Sequence, residues 1–534
     1  MAKNKTSKEK HPSVFEPFSL LLNVGLSVFG AIIGMQLITS LGVTPSTSII
    51  GALAAMLIAR IPLEIFSKYR SIHRQNLVQT SISSATFGAA NSLLIPIGIP
   101  FAMGKPELIM PMMIGAGLAM FVDTALLYKL FDSKVFPASG TWAPGVATAE
   151  AIIAGDKGGK RGALLGVGTV IGLIGSYLGI SMSAFGVAFI GNIWALAMFG
   201  IGLLLRQYSV PLFHVDVNTM YIPHGFMIGA GIVALFQVAV IIFRKKKPVT
   251  NASSSVEEVT YTKSDKQTSR TLGFGFIAYL VIALIVALTG GLISHMSFGM
   301  LIGFMIFAAF AAYVHELIVG IAAMHSGWFP AFAIALITLI IGMMIGFPPV
   351  ALALLVGFSA ATGPAFADMG YDLKTGYILR GNGSDPEAEL AGRKQQYFAG
   401  LIAFGVALIT VMFSYNSFFS QGLIPPVDKV YASTIEAGTS PEVAKQLLMW
   451  AIPGAILQLV GGSSRQVGVM FATGLLILNP NAGWAVLAGI LIRTVVLKMK
   501  GKQAESTLSI LAAGFIAGDA LYSFFSSVVK FAKK

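Results

Sequence analysis

An ionised side chain at the centre of a bilayer costs about 2.5–3.5 kcal/mol even on the lenient insertion scale, so such a residue inside an apolar stretch needs a reason to be there. The residues that raise this question are Asp123, Glu150, His315, Glu316, Asp368, Asp372, Lys374, Arg493 and Asp519. Glu150 follows the segment Phe136-Pro137-Ala138-Ser139-Gly140-Thr141-Trp142-Ala143-Pro144-Gly145. Pro144 and Gly145 are suited to opening a short helix, whose free amides and positive dipole end favour an anionic group. On that reading Gly140 and Thr141 line the approach of a solute and Glu150 titrates or pairs beside it. The alternative is an ordinary loop and a membrane-edge glutamate.

His315-Glu316 lies inside the apolar segment 297–324. A zinc protease needs His-Glu-x-x-His, and position 319 is Val319, so no metal site is expected there. A proton-accepting pair and a pair at headgroup level both fit. Asp368 precedes Asp372-Leu373-Lys374-Thr375-Gly376, which by spacing alone reads as an extended or turning polar connection stopped at Thr375-Gly376. Gln75 and Asn76 open a broken apolar stretch and are placed to reach a cavity or to cap a helix. Gly155-Asp156-Lys157-Gly158-Gly159-Lys160-Arg161 lacks the Ser or Thr that must follow the lysine of a phosphate loop. With no nucleotide motif, no Asp-Asp-x-x-Asp and no Gly-x-Ser-x-Gly, neither an ATP-driven pump nor a membrane-embedded enzyme is indicated.

The elements that position these residues are set by composition. The 534-residue chain is 55% hydrophobic and 11% charged, with mean hydropathy +0.79. Soluble domains carry about 25% charged residues, so lipid must cover much of this surface. The net charge of +13 does not imply nucleic acid, because the basic residues cluster in tails and loops. Lys3 to Lys10, Arg244 to Lys247 and Lys530 to Lys534 are expected to hold both termini and the central loop in the cytoplasm. The absence of cysteine excludes disulfides and thiolate chemistry.

A spanning helix needs about 20 apolar residues. Runs of this kind lie near 17–41, 46–66, 107–131, 163–190, 192–206 and 219–243, then near 271–293, 297–324, 328–346, 348–364, 395–419, 446–461, 465–479, 482–499 and 507–530. The stretch 75–104, broken by Asn91, Pro96 and Pro100, reads as one span, two, or a re-entrant pair, and 143–154 is too short to cross. The expectation is an all-α polytopic bundle of about 14–16 membrane segments. It divides into halves 1–246 and 271–534 joined by a polar linker, 247–270. Pro223–Val233 echoes Asn481–Leu491, and cytoplasmic ends on both halves would make the repeats parallel. Gly30-x-x-x-Gly34 and Gly175-x-x-x-Gly179 are candidate helix-packing seams.

Several stretches resemble the oligopeptide transporter superfamily, particularly its yellow-stripe-like branch. Asp372-Leu373-Lys374-Thr375-Gly376-Tyr377 is similar to that branch's Asp-Phe-Lys-Thr-Gly segment and is followed by Gln395-Gln396 and Gly400. Asn76-Leu77-Val78-Gln79-Thr80, Phe136-Pro137 through Ala147-Thr148-Ala149, and Leu511 through Asp519 and Ala520 match further segments in the family's order. Trp142 to Val146 interrupt the family's Pro-Ser-Gly-Thr-Ala-Thr-Ala pattern. The resemblance implies a carrier of small peptides or metal chelates coupled to protons. Together these readings predict a multi-pass cell-membrane secondary carrier with no cofactor, no metal and no catalytic residue, with room for a homo-oligomer. A passive channel is the rival, and counterflow of labelled solute separates the two.

Overall fold

The computed structural model describes residues 11–42, 44, 47–140, 142–156, 160–243, 261–326, 331–438, 440–462, 465–477, 479–501, 503–505, 507–512, 514–516, 518–519 and 522. Among the described residues every regular element is a helix, apart from an isolated bridge between Phe131 and Phe136. The first group is α1 (Pro17–Leu41), α2 (Thr47–Ile58), α3 (Ile72–Phe87), α4 (Ile95–Ala102), α5 (Ile109–Leu130), α6 (Ala143–Asp156), α7 (Lys160–Tyr177), α8 (Met182–Ile190), α9 (Ile193–Phe213) and α10 (Ile222–Phe243). The second group is α11 (Asp265–Thr289), α12 (Phe298–Ser326), α13 (Ala331–Ile345), α14 (Pro349–Ala361), α15 (Pro364–Leu379), α16 (Pro386–Phe419), α17 (Pro426–Ala437), α18 (Pro441–Gly461), α19 (Val467–Leu476) and α20 (Pro480–Lys500). Ten helices in this polytopic bundle are long and apolar enough to cross a membrane, and shorter apolar helices pack among them.

Several boundaries differ from the sequence expectation, each for a local reason. The broken stretch is one continuous 31-residue helix, Ile72–Ala102, that passes through a π-helical turn at Gly88–Leu94. Pro96 follows that turn; in regular α geometry its ring would collide with the carbonyl of residue 92, and widening the turn relieves the clash. The run 163–190 is two helices, because Gly179 turns the chain at φ +82° between α7 and α8. α11 begins inside the stretch read as linker. Ser264 and Gln267 form a capping box there, and the first turn is too polar to show an apolar period. Residues 244–260 and Thr141 lie outside the described residues.

Helices press together most closely at glycine. A Cβ on Gly34 of α1 would overlap the carbonyl oxygen of Thr86 on α3, and one on Gly229 of α10 would overlap that of Ala451 on α18. Gly474 of α19 rides in the same way on Phe199 of α9. Lipid offers no hydrophobic drive between helices, so such backbone contact supplies the packing instead. Gly175 and Gly179 do not form a comparable seam: Gly175 faces Met182, and Gly179 faces open space.

Candidate functional site

α15 carries the densest chemistry in the molecule. Its segment Pro364–Leu379 was expected to be an extended polar connection, and it is instead a sixteen-residue helix started by Pro364. Polar residues four apart share one helical face, so Asp368 and Asp372 point together into the core, both with no exposed surface. Donors from two other helices meet them. Ser83 Oγ donates to Asp368 Oδ1 at 2.8 Å, and Thr47 Oγ1 reaches the same oxygen at 3.3 Å. Gln79 Nε2 donates to Asp372 Oδ1 at 2.5 Å, with Ser48 Oγ at 3.4 Å and Ser84 Oγ at 3.3 Å. Asn76 steadies Gln79 from one turn back, at 3.0 Å.

No cation belongs to this cradle among the described residues. Lys374, on the same helix, turns away and donates to the carbonyl of Ala138 at 2.8 Å. Two negative charges about 6 Å apart repel by about 3 kcal/mol at an effective dielectric of about 20. Among the described residues, hydroxyl and amide donors alone face this pair of carboxyls.

A cavity of about 410 Å³ lies directly against this cradle. Thr47 and Ser48, the hydroxyls that bond the two carboxyls, are also part of its wall. Tyr371, between the carboxyls on α15, lines it too, and its hydroxyl, buried with the rest of the ring, has no hydrogen-bond partner among the described residues. Val427 and Tyr431 of α17 form part of the opposite wall. The remaining lining is apolar, with Thr44, Asn91, Asn192 and Thr473 as isolated polar points, and among the described residues no charged side chain lines it.

The chain break between α14 and α15 is held by a second acid. Gly363 takes φ +95°, and its N–H donates to Asp123 Oδ2 at 2.6 Å, while the Tyr279 hydroxyl donates to Asp123 Oδ1 at 2.5 Å. Asp123 thus sits on the positive end of α15. Glu316 is fully buried beside this group; Tyr279 faces both acids, but its single proton is directed to Asp123, and neither Glu316 oxygen accepts a hydrogen bond among the described residues. His315 points another way, its Nδ1–H donating to the carbonyl of Ser359. Neighbouring residues on a helix diverge by about 100°, so His315 and Glu316 do not act on one another. Both are fully buried within α12, ten or more residues before its last residue, Ser326.

The other expected residues disperse. Gln75 borders a separate pocket of about 240 Å³ with Arg60, Arg70 and Asp156. Glu150 stands on the exposed side of α6 and outside the cradle, while Gly140 packs on Met324. Asp519 accepts from Ser176 Oγ at 2.5 Å and from the Ser183 N–H at 2.8 Å, in a polar pocket of about 230 Å³ distinct from the main cavity. Arg493 donates to the Gly191 carbonyl at 2.6 Å.

Two features escaped the sequence reading. Glu389 is clamped between Arg380, at 2.7 Å, and Arg393, at 3.1 Å, with all three buried. Gln396 then joins Arg380 to the backbone of Asp372, at 2.8 and 2.7 Å. The signal was present as Glu389-x-x-x-Arg393, an i,i+4 pair. The other feature is Asp428, whose surroundings are taken up below.

A family model described as OPT oligopeptide transporter protein matches residues 17–244 and 216–530. The chain belongs to the oligopeptide transporter family. Its members are transporters, which makes this multi-pass bundle an oligopeptide-type membrane transporter of small molecules. No curated protein and no solved structure is detectably similar to it.

Proposed function

We propose that this oligopeptide transporter family member is a proton-coupled symporter of small oligopeptides in the cell membrane, with both termini and the 247–260 segment in the cytoplasm. One observation carries the reading: Thr47 and Ser48 face the cavity and hydrogen-bond Asp368 and Asp372. A solute that engages those hydroxyls competes with the carboxyls for their protons. Solute occupancy and protonation of the pair are then linked by differential binding, which is what coupling requires. The apolar lining with isolated amide and hydroxyl groups suits a peptide body.

The proton carriers in this reading are Asp368 and Asp372, with Glu316 and Asp123 controlling the seat of α15. Glu150 takes a peripheral role at the surface of α6. The resemblance of Asp372–Tyr377 to the yellow-stripe-like branch favours metal chelates as the second reading. Purified protein in liposomes is tested with labelled di- to tetrapeptides and with iron and nickel chelates, with and without an acidic exterior. Accumulation of peptide that collapses with a protonophore is the expected result. Equal uptake without a gradient, and no counterflow, would make the protein a channel.

A further inference from the structure

Asp428 belongs to α17, apart from the carboxyls of α15. It lies in the first turn of α17, has no exposed surface, and neither carboxyl oxygen accepts a hydrogen bond among the described residues. Its carboxyl rests on the bare Cα of Gly98 in α4, where a Cβ would overlap Oδ2. An unpaired carboxylate in such a place costs several kcal/mol, whereas the neutral acid fits. The residues on either side of this acid, Val427 and Tyr431, face the main cavity.

The helix that receives Asp428 at Gly98 is the same continuous helix that presents Gln79 and Ser83 to the α15 carboxyls. Fifteen residues separate Ser83 from Gly98, which at 1.5 Å per residue is about 20 Å along the axis. Two buried carboxyl stations therefore stand at different depths along one cavity. We propose that Asp428 is a second proton-binding residue, on the extracellular side of the cavity, whose protonated form seats α17 against α4 and closes that wall. This rests on the proton-coupled reading above. Loss of the proton leaves a charge that cannot stay against Gly98, so α17 lifts and the cavity opens toward the side from which protons arrive.

The groups near Asp428 leave it as the controlling acid. α4, α13, α14 and α19 carry no titratable side chain; α10 presents His224, α18 carries Glu442 and Lys445 at exposed positions, and α17 itself carries Lys429, Tyr431 and Glu436. Arg206 of α9 lies near Lys429 and His224.

The natural chain has no cysteine, so Val427→Cys provides a single reporter. Its labelling by an impermeant maleimide in liposomes, always taken relative to free cysteine at the same pH because the thiolate fraction itself rises with pH, is expected to quicken by about tenfold from about pH 5 to about pH 8. Adding Asp428→Asn, which stays neutral, should hold labelling slow at every pH; Gly98→Ala, which removes the seat, should make it fast at every pH. An unchanged pH profile in both variants overturns the proposal, and if one variant fails to purify the other decides. Uptake of labelled trialanine under an imposed pH gradient tests proton coupling separately. Its absence in the unmodified protein refutes the parent reading, whereas a flat labelling profile beside normal driven uptake refutes only the role given to Asp428.

Discussion

Replacing Glu389 by alanine removes the one acid that serves two guanidinium groups. Arg380 and Arg393 are 1% exposed and Glu389 is 2% exposed, so no solvent replaces the lost partner. Arg393 keeps the Phe131 carbonyl, at 3.1 Å, the Thr262 hydroxyl, at 3.2 Å, and a distant Asp132, at 3.8 Å, while among the described residues Arg380 keeps only Gln396. Breaking a buried pair from one side costs about 3–5 kcal/mol, and that range applies here because Arg380 loses its acid while Arg393 still has Asp132. Unfolding in mixed micelles, followed by fluorescence, reads this directly, because Trp142 packs 6.3 Å from the ring of Phe131, whose carbonyl Arg393 holds. Changing all three residues together to apolar ones of similar volume should recover most of the loss, since no charge is then left buried. A cost below about 1 kcal/mol for Glu389→Ala would place the triad with surface ion pairs and refute the reasoning.

Further expectations concern the cavity, a seam and the N-terminal segment. Asp372→Asn should reduce gradient-driven peptide uptake by at least about tenfold while counterflow continues, because the hydrogen-bonded shape survives and the transferable proton does not. Tyr371→Phe should leave the melting temperature unchanged, as its hydroxyl has no protein partner, and should raise the apparent KM by about two- to tenfold if that hydroxyl meets solute. Gly34→Ala, forced against the Thr86 carbonyl, should destabilise by about 1–3 kcal/mol, read as a lower melting temperature. Burial, reinforced by the nearby Arg380 and His73, holds the His11 imidazole down at about 4. A histidine with a lowered folded value costs stability as pH falls from about 6.5 toward 4, because the unfolded chain takes the proton first. His11→Gln should flatten that part of the stability–pH curve.

The spans were legible because length and apolarity are local properties that hydrocarbon demands of any crossing segment. α1, α5 and α12 follow directly from their runs. α15 was not, because it is a helix buried against other polar helices: Asp368, Asp372 and Lys374 find their partners 230 or more residues away, and nothing in the segment announces them. α3 poses the same difficulty, since Gln75, Asn76, Gln79, Ser83 and Ser84 look like a surface yet are buried. Asp123, Glu316, Asp368 and Asp372 are buried whereas Glu150 is exposed, and which acids share a site depends on helix rotation. His315 and Glu316, adjacent in sequence, part company for that reason, whereas Asp123 and Gly363, 240 residues apart, meet.

The glycine contacts restrict how such a molecule can move. Where the α1 and α3 backbones touch, and again at α10 with α18 and at α9 with α19, sliding one partner along the other would drive a carbonyl into a Cα. Each pair must travel as one block. Exposure of the cavity to one side and then the other is consequently a matter of tilting whole blocks about their softer side-chain contacts, with little shear inside any of them.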